Sequence, residues 1–354
     1  MDSNYFPIFR SRQEENKVLT SFPFGSMMTP IIEVIREKDR ITNRKSCHEI
    51  YSEIIEQVKS RFVFLDLPIY LTLTTGTKKE VIKFFRGTIS VLQKRIDFFE
   101  SFKAKAEKII PVVSTLFLET GESNTIMKQY NVLKKQFPSV AIRIFFKNFD
   151  QQVKEIKNIK LRTTDIIIYD LDSIPLTHPQ NKKNCDTIHM NFSEQFLVMV
   201  RNVIEDGLQN IDLIHGEIIG EADNSLMELY KNQYSFSGFG DYVGIKKDKI
   251  SEGGSISPGF IIYDPIENVY YGYKGRLRKL SEFETRIVPD VLKSKFIKRI
   301  ENNKPEYLEY NQGYRTLLSI NNKKEKGQLQ AKFKRISMEH YLRCMQVKIE
   351  DGEI

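Results

Sequence analysis

The 354-residue sequence predicts an α/β protein in which eight parallel strands close into a (β/α)8, TIM-barrel-like domain, followed by a C-terminal hairpin and a basic α+β extension. Three observations carry this expectation. An apolar run that ends in a charge recurs along the first 250 residues, most plainly as RFVFLDL from Arg61 to Leu67, and again in PIFR, PIIE and IIIYD. Helical patterns fall between these runs. Beyond residue 250 the alternation stops, and Gly/Pro punctuation with paired β-type segments takes over. Continuous apolar runs are what strands covered on both faces look like, and in such sheets functional groups collect where the strands end.

Strand runs fall near 6–9, 29–34, 62–67, 109–114, 140–146, 165–170, 211–216 and 239–245. Helical periodicity falls at 13–22, 47–59, 78–107, 124–136, 150–160, 192–206 and 224–234. The clearest stripe is 78–107, where Val81, Phe84, Phe85, Arg95, Phe98 and Phe102 keep a 3.6-residue spacing between lysines. The polar stretch from His178 to Asn184 reads as a mobile insertion after the sixth strand. Gly253-Gly254 and Pro258-Gly259 mark a loop, and GFIIYD and NVYYGYK flank a turn as a hairpin. A basic helix is expected at about 280–300, an exposed turn at 321–327, and a closing segment that reads equally as strand or helix. The expected division is a barrel over 1–250 and an extension over 251–354 packed on it.

Composition narrows the function classes. No apolar run approaches the roughly 20 residues needed to cross a bilayer, and the N-terminal MDSNYFPIFR lacks the charged-then-apolar order of a signal peptide, so a cytoplasmic protein is expected with no membrane partner. Cys47, Cys185 and Cys344 are far apart and outside any CxxC spacing, which argues against a disulfide framework or a zinc site. Residues 274–349 hold 19 Lys/Arg against 8 Asp/Glu, whereas residues 1–273 balance 35 against 35. That basic segment fits a phosphate-bearing partner and fits a solvated lysine-rich face equally well. The Rossmann glycine pattern, Walker A, HExxH, G-x-S-x-G and the kinase set are absent, which weakens the corresponding enzyme classes.

On a barrel, the strand ends Arg10, Glu33, Asp66, Asp170, Glu217 and Asp241 all face one rim. Several carboxylates with a guanidinium suit metal-assisted phosphoester hydrolysis, with Mg²⁺ or Mn²⁺ as the cation, and also suit an acid/base pair acting on a glycosidic bond. The same residues fit internal ion pairs, in which Arg143 of VAIRIFF points inward and neutralises two of the acids. Arg12, beside Glu14 and Glu15, is either part of a substrate loop or part of a helix start. His215 with Glu217 suggests acid/base pairing, against which stands a hydrogen-bonded core histidine. In FSGFGDY the glycines holding Asp241 suit close approach of a ligand or, equally, a tight turn.

The blocks YFPIFRSRQEE, MTPIIEV, FVFLDL, PVVS, IIIYDLD, GFGDY with the hairpin ending YYGYKG, and AKFKRISMEHYLR resemble, in order and spacing, the phage-type beta protein family. Arg10, Arg12 and Glu15 match that family's basic-arginine-glutamate block, with Glu14 in place of its glycine. Glu33, Asp66, Asp170 and Asp241 match its acids, and Lys274 matches the basic residue closing its hairpin. Of its Asn-His-His block only His340 is present. The resemblance implies a setting in phage, mobile or defence-type loci and supplies no enzymatic assignment. The expected function is therefore binding of a nucleotide or nucleic acid at the rim, with Glu33, Asp66, Asp170, Glu217 and Asp241 as catalytic or metal-binding acids. Arg10, Arg12, Arg143, His215 and Lys274 would hold the ligand. The alternative is a non-catalytic interaction or sensor protein with a protein partner, using the barrel as a scaffold.

Overall fold

The computed structural model describes residues 2–38, 43–205, 207–247 and 257–354. They form two compact units, one of 2–201 with 226–241, the other of 202–225, 242–247 and 257–354. The expected boundary at 250 and Gly253-Gly254 lie outside the described residues.

The first unit is built on eight strands, Ile8–Arg10 (β1), Ile31–Glu33 (β2), Val63–Asp66 (β3), Ile109–Val113 (β4), Ala141–Phe145 (β5), Ile166–Asp170 (β6), Phe196–Val200 (β7) and Gly238–Gly240 (β8). They form one parallel sheet in chain order. The sheet curls almost into a closed barrel. Its outer strands meet where Phe6 N donates to Phe239 O and Ile8 N to Asp241 O, both at 2.8 Å. At that seam a Cβ on Gly240 would lie 2.4 Å from Phe6 O, and one on Gly238 would lie 2.5 Å from the Phe6 ring. The glycines of FSGFGDY thus admit the chain's own first strand, not a ligand.

Helices follow the strands as Gln13–Ser21 (α1), Cys47–Gln57 (α2), Leu92–Glu100 (α3), Thr125–Leu133 (α4), Phe149–Ile156 (α5) and Pro179–Phe192 (α6). A reciprocal cap starts α2, with Glu49 N donating to Ser46 Oγ at 3.2 Å and Ser46 N to Glu49 Oε2 at 2.7 Å. The single helix expected over 78–107 is instead broken. Lys79–Phe84 runs into a wide π turn at Phe85–Ile89 and restarts as α3, on which Arg95 is wholly buried, on the inner face its spacing predicts.

Two expectations fail at β6 and β7. HPQNKKN begins α6: Pro179 takes the first turn, His178 Nδ1 accepts from Gln180 N, and Asn181 and Asn184 are buried, with Asn184 Nδ2 on the Tyr169 hydroxyl at 2.8 Å. The helix expected over 192–206 is strand β7, because Phe196 to Val200 are five consecutive apolar residues, Leu197 to Val200 buried, where a surface helix would show a polar face. The strand expected at 211–216 is a turn with Ile211 and Ile214 exposed.

In the second unit the expected hairpin forms from Gly259–Asp264 (β9) and Val269–Lys274 (β10), in register from Gly259 opposite Lys274 to Asp264 opposite Val269. The two-residue strand Glu217–Ile218 pairs antiparallel with β10. The basic stretch forms short helical turns and then Lys295–Asn303 (α7), followed by Gln312–Asn321 (α8). The closing segment is a helix, Gln330–Glu350 (α9), seated on β9 through Ser337 Oγ to Ile261 O at 2.6 Å.

Candidate functional site

Strand register builds the site. Arg10 lies opposite Glu33 and Glu33 opposite Asp66, so three adjacent strands deliver three charges at one level. Asp170 ends β6 in register with Phe145, and Arg143 lies two residues below Phe145, on the same face of β5. Its guanidinium reaches all three acids. Nη1 donates to Asp66 Oδ2 at 2.7 Å and to Glu33 Oε1 at 3.2 Å, while Nε and Nη2 hold Asp170 Oδ2 at 2.9 and 2.7 Å. Arg10 Nε donates to Glu33 Oε2 at 3.0 Å. The Tyr70 hydroxyl donates to Glu33 Oε1, and its ring centroid lies 4.5 Å from the Arg143 guanidinium. Asp170 Oδ1 takes the Asp172 amide at 2.8 Å.

The sequence allowed Arg143 two acids as partners, and the structure gives it three. Its guanidinium fills the position from which a divalent cation would contact the same carboxylates, so this cluster does not fit a metal. Among the described residues no group of three or more His, Cys, Asp or Glu side chains is arranged to hold one.

The cluster is not evenly satisfied. Asp66 Oδ1 is buried without a hydrogen-bond partner. Burial pushes the Asp66 pKa up to about 6, with Glu33 adding to the rise and Arg143 and Arg95 opposing it. Burial also lowers the Arg95 pKa to about 10, against the pull of Asp66 and Tyr70. Arg12 lies beside Arg10 and Arg36. Its pKa is lowered first by burial and then by those two like charges, with Glu15 and Glu33 opposing.

The remaining predicted residues fall elsewhere. Asp241 sits at the barrel seam, where Oδ1 takes the Tyr5 hydroxyl at 2.8 Å. His215, Glu217 and Lys274 belong to the second unit. There Glu217 is exposed, Lys274 Nζ donates to Ile211 O at 2.9 Å, and His215 Nε2 lies 2.9 Å from Asp290 Oδ2. The place of His215 and Glu217 in the predicted rim depended on a strand at 211–216 that does not form, whereas Lys274 entered only through the family resemblance. Sequence reasoning missed Tyr70 and Arg36 and read Arg95 as part of an apolar stripe. An arginine within an otherwise apolar helix face was the one available signal.

The whole arrangement lies within residues 5–346, which match the family model described as Beta protein. The chain belongs to the Beta protein family. The Beta protein match spans both units, from Tyr5 at the barrel seam to the last turns of α9. No curated protein matches the chain. No helix among the described residues is long and apolar enough to cross a membrane.

Proposed function

We propose that this chain is a (β/α)8, TIM-barrel-like protein that binds a phosphate-bearing ligand, a nucleotide or nucleic acid, at the rim where its strands end. Arg10, Arg12 and Arg36 form the clamp and Asp66 is the acid/base group. The observation that carries this reading is the gathering of Arg10, Arg12 and Arg36 just past the ends of β1 and β2, close enough for Arg12 to sense the charge of the other two beside its own burial. Like charges in a partly buried setting favour an anion among them, and guanidiniums match phosphate oxygens in pairs.

Asp66 extends the reading to hydrolysis. Its folded pKa near 6 leaves it ionised at neutral pH, within range for taking a proton from a water whose oxygen attacks phosphorus. The bond to the leaving oxygen breaks, and that oxygen takes the proton back from Asp66. The arginines would stabilise the charge on the phosphoryl oxygens. Arg143 neutralises the neighbouring acids in place of a metal. The setting in phage or defence loci belongs to the same proposal and rests on the family alone.

A thermal-shift series with nucleotides and with single-stranded DNA and RNA tests the clamp. A ligand of the rim raises the melting temperature of the wild type and loses that effect in Arg12→Gln with Arg36→Gln. An unchanged shift in the double variant would contradict the reading.

A second reading, partner binding by the basic unit, is favoured by one feature. In 276–298 the acids are engaged, Glu282 by Arg276, Glu284 by Gln328 and Asp290 by His215, while Lys279, Arg286, Lys293, Lys295 and Lys298 are exposed. Charge reversals there that abolish binding, with the rim variants silent, would select it.

A further inference from the structure

Three buried polar atoms at the ends of β3 and β4 have no hydrogen-bond partner: Asp66 Oδ1, Arg95 Nη2 and Ser114 Oγ. They belong to one network. Asp66 closes β3 opposite Val112, and Ser114 directly follows β4. Arg95 is tied to both strand ends. Its Nη1 donates to Leu67 O at 2.6 Å and its Nε to Gln129 Oε1 at 3.0 Å, and Gln129 Nε2 donates in turn to Ser114 O at 2.9 Å. The charges of Asp66 and Arg95 act on each other across this network. One of the three atoms can only accept, one can only donate, and the hydroxyl can do either. Folded proteins leave few buried polar atoms unpaired, and three at adjoining strand ends, with Arg95 and Ser114 joined through Gln129, are a feature of a site.

We propose that Asp66, Arg95 and Ser114 form a second subsite of the rim, one that takes a sugar hydroxyl, so that the ligand is a sugar phosphate or a nucleotide. This rests on the phosphate-binding reading above. A hydroxyl donates to Asp66 Oδ1 and accepts from Arg95 Nη2 or Ser114 Oγ, which pairs atoms the protein leaves unpaired. Carboxylates recognise ribose hydroxyls in this way in dinucleotide-binding folds. The two subsites are linked through the protein, since Asp66 Oδ2 shares Arg143 with Glu33, and Glu33 holds Arg10. Tyr70 lies over this link. It is half-buried, and residues 67–76 around it form no helix or strand.

Calorimetric titration of the full chain with inorganic phosphate and with ribose 5-phosphate tests the subsite. Ribose 5-phosphate is expected to bind about 10-fold tighter than phosphate. Ser114→Ala removes a hydroxyl that has no protein partner, so the fold is kept; it should cut that ratio about 3-fold or more and leave phosphate affinity unchanged. Equal affinity for the two probes, or an unchanged ratio in Ser114→Ala, overturns the hydroxyl subsite while phosphate binding upholds the clamp. If neither probe binds, both readings fall.

Discussion

Two buried ionisable groups, one in each unit, are held in opposite ways. In the second unit His340 is wholly enclosed, yet each ring nitrogen has a partner: Nδ1 accepts from Asn311 Nδ2 at 2.9 Å and Nε2 meets Tyr263 O at 2.8 Å. Burial lowers its pKa to about 4, which keeps the ring neutral and its hydrogen bonds fixed. In the cluster around Arg143 the buried groups are charged, one guanidinium serves three acids, and Asp66 Oδ1 has no hydrogen-bond partner. A neutral, fully paired polar group is a device for packing. A charged cluster with an unpaired member costs stability, and its persistence is best explained by a ligand.

The largest expected effect comes from breaking the barrel cluster. Arg143→Met strips three buried carboxylates of their counter-charge and should destabilise the chain by about 3–5 kcal/mol in urea unfolding, with Arg143→Lys intermediate because a point charge cannot hold three acids. A loss under about 1 kcal/mol would mean the acids find other partners.

The contrast sharpens with pH. His340 is depressed from 6.5 to about 4, so its contribution is present above 6.5 and is lost as pH falls toward 4. Asp66 is raised from 3.8 to about 6, so the folded state holds its proton more tightly and stability falls as pH rises from 3.8 through 6. Each effect is on the order of 3 kcal/mol, and over the shared window they oppose each other. Asp66→Asn should therefore unmask a stability that rises with pH between 4 and 6.5, and His340→Gln one that falls. Parallel pH profiles for the two variants would contradict the assigned burials.

Smaller effects mark the edges of the comparison. Gly240→Ala places a methyl against Phe6 O at the seam and should cost about 1–3 kcal/mol by overpacking. Tyr70→Phe removes a hydroxyl from a charged carboxylate and should lower stability in urea unfolding by about 1–2 kcal/mol.

The gathering of Arg10, Glu33, Asp66 and Asp170 was legible because an apolar run closed by a charge marks a strand end, and parallel register then sets the ends level. The seventh strand was not. Phe196, Leu197 and Val200 also fit a helical spacing, and choosing helix moved the strand to 211–216, which carried His215 and Glu217 into a site they do not share. Tyr70 and Arg36 lie in irregular segments just past their strands, where no periodicity marks a side chain's direction. Arg95 was placed on the inner face by its spacing, but nothing in the spacing distinguishes a stripe position that packs from one whose charge is held by a strand-end carbonyl and a glutamine.

The central claim is that the barrel rim binds phosphate through its arginines. Calorimetry with ATP in metal-free buffer, on the wild type and on Arg12→Gln with Arg36→Gln, tests it most directly. The account predicts saturable one-to-one binding that weakens at least about 10-fold in the double variant. Absence of binding, or equal affinity in both proteins, would contradict it.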